Sequence, residues 1–259
     1  MQHRERKQRT HSSLEKGLNL LSVFIPDNRE MGTVEIATYF SMNRSTVSRM
    51  LGVLRSQGFV RQNPENNKYS LGPQIYSLAV AYSRSFESTL TKIAKPILDQ
   101  LRLDLQHTVV LEIPVGECAM VVYVTEGLGP IKISAQVGDR HCYHTSAGAK
   151  CILAFSSQET IDGVLDSELR SFTPKTITDP GKLNKELNSI RKNGFAFDDE
   201  GNNPGISAFA VPLIDKEERA VAAIVTAGPS NQMAWEQRHF FIKQLRNAAE
   251  NVCRQLDGS

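Results

Sequence analysis

The most reactive side chains of this 259-residue chain gather at His141-Cys142-Tyr143-His144. Side chains alternate across an extended strand, so His141 and Tyr143 would share one side and Cys142 and His144 the other. Two soft ligands on a side fall short of the four that a structural zinc site takes. Cys142 and His144 have the residue types of a nucleophile and its base. That keeps a hydrolase-like reading open, with the N-terminal part as a tether. The chain holds no G-x-S-x-G, no H-E-x-x-H and no P-loop, and no cofactor is expected. Its four cysteines, Cys118, Cys142, Cys151 and Cys253, lack C-x-x-C spacing, the pattern of reduced thiols in a cytoplasmic protein. Oxidation of Cys142 and Cys151 stands as another alternative, a thiol-based redox sensor.

Composition narrows the class. Apolar residues are 40% and charged residues 22%, as in soluble globular proteins, which excludes disordered, collagenous and mucin-like chains. Mean hydropathy is −0.30 and no long apolar run occurs, so neither a membrane span nor a membrane partner is expected. The N-terminal MQHRERKQRTHSS is basic with no apolar stretch behind it, so it does not read as a secretory signal. Charge is uneven. Residues 1–72 hold 11 Lys and Arg against 6 Asp and Glu, whereas residues 73–259 hold 19 against 22. A basic small end points to nucleic acid.

The elements of that end fit the same partner. Ser12 and Glu15 have capping-box spacing, and Leu14, Gly17, Leu18 and Leu21 follow on one helical side. Pro26 is expected to end that helix. A second helix is expected over 33–40 and a turn at Ser41-Met42-Asn43, with Asn43 capping a third helix from Arg44 to Gln57. In the third helix Val47, Met50, Leu51 and Leu54 share one face. Ser45, Ser48, Arg49, Gly52 and Ser56 share the other, a face without acidic residues. Low bulk, hydroxyl and guanidinium donors and no negative charge suit a helix entering a DNA major groove. Gly58 caps the end. FVRQ (59–62) and KYSL (68–71) flank a turn-rich loop, so helix, helix and hairpin make a winged helix. Arg61 and Lys68 on the hairpin read equally as phosphate contacts or as plain surface charges.

SLEKGLNLLSVF, EIATYFSMNRSTVSRMLGVLRSQGFV and KYSLGPQIYSLA together resemble the IclR family of bacterial transcriptional regulators. Two positions depart from its usual form: Ser41 replaces a turn Gly, and Gly52 replaces an Ala. The resemblance implies DNA contacts from Arg44, Ser45, Thr46, Ser48 and Arg49, joined by Arg61 and Lys68. It also implies the layout: a basic arm (1–11), a winged helix-turn-helix domain (12–72), a linker helix (73–87) and an effector-binding and oligomerisation domain (88–259). The apolar linker (Ile75, Leu78, Ala79, Tyr82) suits packing on a second copy, in a homodimer or a dimer of dimers.

From residue 88 onward, strands, helices, strands and a closing helix read as α+β with an antiparallel sheet, similar to GAF-type sensor domains. Strands are expected at 108–115, 118–125, 130–136, 195–198, 206–214 and 220–227. Helices are expected at 88–105, 147–155, 158–165, 181–193 and 233–256. The resemblance extends over VGDRHCYHTSAGAKCILAF (137–155), GFAFDDEGNNPGISAFAVPLID (194–215) and AAIVTAGP (222–229). It implies a small-molecule site at His141, Ala147, Gly148, Asp198, Ile206, Ala208, Val225 and Ala227. There a ligand carboxylate meets the backbone of Ala147 and Gly148, since a helix start offers open N–H groups. Ala208 replaces a frequent Cys, and Val225 and Ala227 replace the Ser of some relatives. Fewer hydroxyl donors and more apolar lining predict an organic acid larger or more apolar than a two-carbon acid, such as an aromatic or branched one. Gly201, Phe209 and Ile214 depart from the usual Glu, small aliphatic and aromatic or His. The loop 199–205 is rich in Asn, Gly and Pro and is expected to close over the ligand. The implied function is transcription regulation, typically repression: the winged helix binds double-stranded operator DNA and the effector alters that affinity.

Overall fold

The computed structural model describes residues 12–25, 27–82, 86–129 and 133–257, without the side chains of 86–88 and 257. The basic arm and Pro26 lie outside them. Contacts divide the chain into two compact units, Met1–Ser85 and Phe86–Ser259.

In the first unit α1 (Ser13–Ser22), α2 (Thr33–Tyr39) and α3 (Arg44–Ser56) precede a hairpin of β1 (Val60–Gln62) and β2 (Tyr69–Leu71), followed by α4 (Pro73–Tyr82). Ser12 caps α1, its hydroxyl accepting from the Glu15 N–H. The expected side of α1 is buried only in part, through Leu21, which packs against the core. Leu20, Val23 and Phe24 enter the core with Ile36, Val47, Leu51 and Val60, whereas Leu14 and Leu18 are 72% and 58% exposed. The helix carries apolar residues on both sides, so spacing alone could not choose the one that packs. Asn43 caps α3 by accepting from the Ser45 N–H. Ser41 takes φ +51° in the turn, the left-handed region that a glycine enters at lower cost. No residue of α4 is buried; Tyr76, Leu78 and Tyr82 are exposed.

The second unit is a six-stranded sheet in the order β5-β4-β3-β8-β7-β6, with every neighbouring pair antiparallel. Its strands are β3 (Thr108–Val115), β4 (Cys118–Thr125), β5 (Arg140–Cys142), β6 (Ala196–Asp199), β7 (Ile206–Ile214) and β8 (Ala220–Pro229). The strand expected at 130–136 is not seen: residues 133–136 have no regular structure, 130–132 lie outside the described residues, and β5 pairs with β4 instead.

Alternation sorts the side chains into two cores. Val109, Leu111, Ile113, Phe209, Val211 and Ile224 pack under α5 (Phe86–Leu105) and α9 (Arg238–Asp257). Ala208, Ala210, Ala223, Val225 and Ala227 face α6 (Ala147–Ala154), which is backed by α7 (Gln158–Leu165) and α8 (Pro180–Asn193). All eight residues of α6 are buried. Such a helix needs small residues beneath it, and the alanines provide them. No helix among the described residues is long and apolar enough to cross a membrane.

Phe209 lies on the α5/α9 side. Its ring meets Phe197 at 4.6 Å and Phe241 at 5.3 Å between centroids. Phe209→Ala should therefore destabilise the C-terminal unit by about 3–5 kcal/mol, read as a lower urea midpoint of its unfolding transition.

Candidate nucleic-acid interface and effector pocket

The outer face of α3 carries exposed Arg44, Ser45, Ser48 and Arg49, with Thr46 half-buried above the core residues Val47, Met50 and Leu51. The first turn holds no acidic residue, so the positive end of the helix dipole and Arg44 act together on an approaching anion. The Ser45 hydroxyl donates to Asn43 Oδ1 at 2.8 Å. Arg55 Nη1 donates to Gln62 Oε1 at 2.6 Å, tying α3 to the wing. Arg61 Nε donates to Ser70 Oγ at 3.1 Å along the hairpin. Lys68 Nζ stands 3.6 Å from Glu35 Oε2 on α2, so a phosphate at Lys68 would compete with that carboxylate.

Sequence reasoning passed over Glu30. Its carboxylate accepts from Asn66 Nδ2 at 2.7 Å and Asn63 Nδ2 at 3.0 Å, and those bonds hold its pKa below the ordinary value. They fasten the wing loop to the segment before α2. The Asn-rich loop was the available signal.

In the second unit Ala147, Ile206, Ala208, Val225 and Ala227 meet in one apolar cluster between α6 and the sheet. Gly148 packs on Val225: a Cβ built on it would lie 2.6 Å from Val225 Cγ2. His141, on β5, is half-buried and its Nδ1 lies 2.9 Å from Glu112 Oε1. Burial drives the His141 pKa down, but the hydrogen bond to Glu112 and the charges of Glu112, Asp139 and Asp198 together leave it raised. Asp198, opposite Ala208 on β7, is 4% exposed. It holds Lys150 Nζ at 3.5 Å through Oδ1 and accepts from the Asn202 N–H at 3.3 Å through Oδ2. Burial raises the Asp198 pKa against the opposing pull of Lys150. Lys150 Nζ also donates to the Phe197 carbonyl at 3.3 Å.

Glu112 and Lys150 were therefore missed. Glu112 is a lone charge at the α6-facing parity of the apolar run TVVLEIPV, and Lys150 is a lone charge in AGAKCILA. Either could have been flagged as a buried polar group requiring a partner. Gly201 has a local reason: a Cβ there would stand 2.5 Å from Asp198 Oδ1 and 3.3 Å from the Thr145 carbonyl. The loop 199–205 is fastened from outside. Lys175 Nζ reaches Asp199 and Glu200 at 3.0 and 3.1 Å, and the Thr176 hydroxyl donates to the Gly201 carbonyl at 2.6 Å. Ile214, at the far end of β7, is exposed.

Two sequence expectations for the cysteines are corrected. Cys142 is exposed on edge strand β5, whereas Cys151 is fully buried with its thiol donating to the Ala210 carbonyl on β7. Four strand spacings separate β5 from β7, about 19 Å, far beyond disulfide reach. Burial pushes the Cys151 thiol well above its ordinary pKa. Nor do Cys142 and His144 form a nucleophile–base pair among the described residues; His144 Nε2 stands 2.9 Å from the Arg170 carbonyl oxygen.

A winged helix ahead of a six-stranded antiparallel-sheet domain is the layout of a two-domain DNA-binding regulator. Residues 13–64 match the IclR helix-turn-helix domain, and residues 86–254 match the C-terminal domain of the bacterial transcriptional regulator IclR. The chain belongs to the IclR family and is a transcriptional regulator. It is similar to the transcriptional repressor IclR of Escherichia coli K12, 29% identical over 250 residues, covering 95% of this chain and 90% of that one. Among solved structures it resembles an IclR transcriptional regulator from Silicibacter sp. TM1040, with TM-score 0.81, 26% identity and coverage of 96% and 97%. An IclR homologue from Microbacterium hydrocarbonoxydans complexed with 4-hydroxybenzoate shares the fold, with TM-score 0.80, 22% identity and coverage of 96% and 100%.

The Lys150–Asp198 pair makes a stability prediction. Asp198→Ala leaves a buried ammonium without its counter-charge, so the C-terminal unit should lose about 3–5 kcal/mol. Adding Lys150→Met should recover part of that loss. Urea unfolding of both variants gives the coupling; additive losses would mean the pair is not a unit.

Proposed function

We propose that this regulator binds a small-molecule effector between α6 and the alanine-lined face of the sheet. Binding there changes the affinity of α3 and the wing for a double-stranded operator, in a repressor-type response. The observation that carries the reading is the gathering of Ala147, Gly148, Ile206, Ala208, Val225 and Ala227 on the side of the sheet that holds half-buried His141 and buried Asp198. A closed apolar site with a few placed polar groups is the usual form of a ligand pocket. The 4-hydroxybenzoate complex of a protein with the same fold supports a small organic ligand. The domain limits at 12–72, 73–87 and 88–259 and a cytoplasmic location belong to the same reading. The exposed apolar side of α4 supports a homodimer or a dimer of dimers. A dimer's two-fold axis then calls for a pseudo-palindromic operator. For the coupling to work, the effector must bind DNA-competent and DNA-incompetent arrangements with different affinity.

The test is fluorescence anisotropy on the DNA upstream of the protein's own gene, at two salt concentrations, with nonspecific DNA alongside. Arg49→Ala should weaken operator binding by about 1–3 kcal/mol and relax specificity at one base pair. An even loss on all sequences would assign Arg49 to phosphate, and no loss would remove α3 as the recognition helix.

A thiol switch is a second reading, with a new partner. Cys118 and Cys142 are register partners on β4 and β5. Opposed residues of an antiparallel pair stand about 4.5–5.5 Å apart at Cα, inside the disulfide range. Hydrogen peroxide would oxidise the two thiols to one disulfide and be reduced to two waters. Peptide mapping after peroxide should find Cys118 joined to Cys142 and DNA affinity changed, with both effects lost in Cys142→Ser. The absence of a linked peptide ends this reading.

A further inference from the structure

Glu112 is buried, 2% exposed, on the side of β3 that faces α6. Its Oε1 is occupied by His141 Nδ1. Its Oε2 is buried and has no hydrogen-bond partner among the described residues. An unpaired carboxylate oxygen inside a protein is costly and calls for an explanation. This one is aimed. A Cβ built on Gly148, in the first turn of α6, would lie 2.4 Å from Glu112 Oε2. The oxygen therefore stands on the ground where open N–H groups at the α6 start would receive an effector carboxylate. A second carboxylate there would meet a like charge in a poorly screened interior. Val225 and Ala227, lining the same cluster, bring no side-chain hydroxyl to offset it.

We propose that Glu112 Oε2 is a specificity-determining acceptor: the effector group facing the start of α6 is a hydrogen-bond donor (a hydroxyl, an amide N–H or an ammonium) and not a carboxylate. His141 holds Glu112 in position by taking its other oxygen. The β3–β4 register shifts between Leu111 and Glu112, an irregularity of the kind that re-aims a side chain next to a site. The assignment rests on the pocket reading above and replaces its expected carboxylate seat.

The test uses the full chain without DNA and three probes of one size: benzamide, benzyl alcohol and benzoate, each titrated by calorimetry. Wild type should bind the amide and the alcohol at least about tenfold more tightly than benzoate, a difference of about 1.4 kcal/mol. Glu112→Gln keeps the shape and removes the charge, and should erase or reverse that order. Benzoate binding wild type as tightly as benzamide overturns the assignment, as does the absence of binding by any of the three. So does a folded Glu112→Gln that keeps the wild-type order. The wild-type comparison decides by itself if the variant does not fold. A probe that binds in the expected order but leaves DNA affinity unchanged counts against the regulatory reading and not against Glu112.

Discussion

The C-terminal unit is organised by the complete burial of α6. A helix buried on every side has no wet face for its polar groups, so each must find a partner in the protein. Its start is met by Ser146, whose hydroxyl accepts from the Ala149 N–H at 3.2 Å. Its one charge, on Lys150, is met by Asp198 from β6 and by the Phe197 carbonyl. The sheet beneath must be lined by small residues, which is why β7 and β8 present alanines on this side and keep Phe209 and Ile224 for the other. Glu112 and Asp198 bring their carboxylates to this helix, at Gly148 and Lys150. The site proposed for the effector is thus set by how a small-residue helix is packed and capped.

The sheet's alternation also decides what a substitution means. Phe209 and Ala208 are neighbours in sequence, and at both the family resemblance implies a different residue. Phe209 fills the aromatic stack with Phe197 and Phe241 under α9 and cannot touch a ligand near α6. Ala208 faces the pocket cluster. Gly201 is explained by Asp198 and the Thr145 carbonyl, which leave no room for a side chain. Departures from a family pattern therefore carry ligand information only at the parity that faces α6.

Much of this was legible in the residues. The β3, β4 and β7 ranges follow directly from runs rich in Val and Ile between turn signals, and the caps at Ser12 and Asn43 and the stop at Gly194, with φ +69°, follow from residue type. The winged helix was legible as well. What escaped was set by distant pairing. The buried face of α1 depended on where α3 lay, since Leu14 and Leu18 offered an equally apolar side. Nothing in the sequence signals that Cys142 is exposed on β5 while Cys151 is buried in α6. Glu112 was hidden inside an otherwise apolar run, and its importance appears only when β3, β5 and α6 are brought together.

The ionisable groups of this core bear on function more than on stability. Exchanging a buried ion pair for well-packed apolar residues is often neutral or stabilising, and the surroundings here are already Ala, Val, Ile and Leu. Lys150 and Asp198 at least compensate each other and are tied to backbone as well. Glu112 and His141 are different: their contact uses one carboxylate oxygen and leaves the second bare in the interior. A leucine or methionine at position 112 would fill the space without that cost. The chain keeps the carboxylate beside the start of α6, a helix buried throughout. On the proposed reading, a donor group brought to Glu112 Oε2 would complete the hydrogen bonding that folding left unfinished.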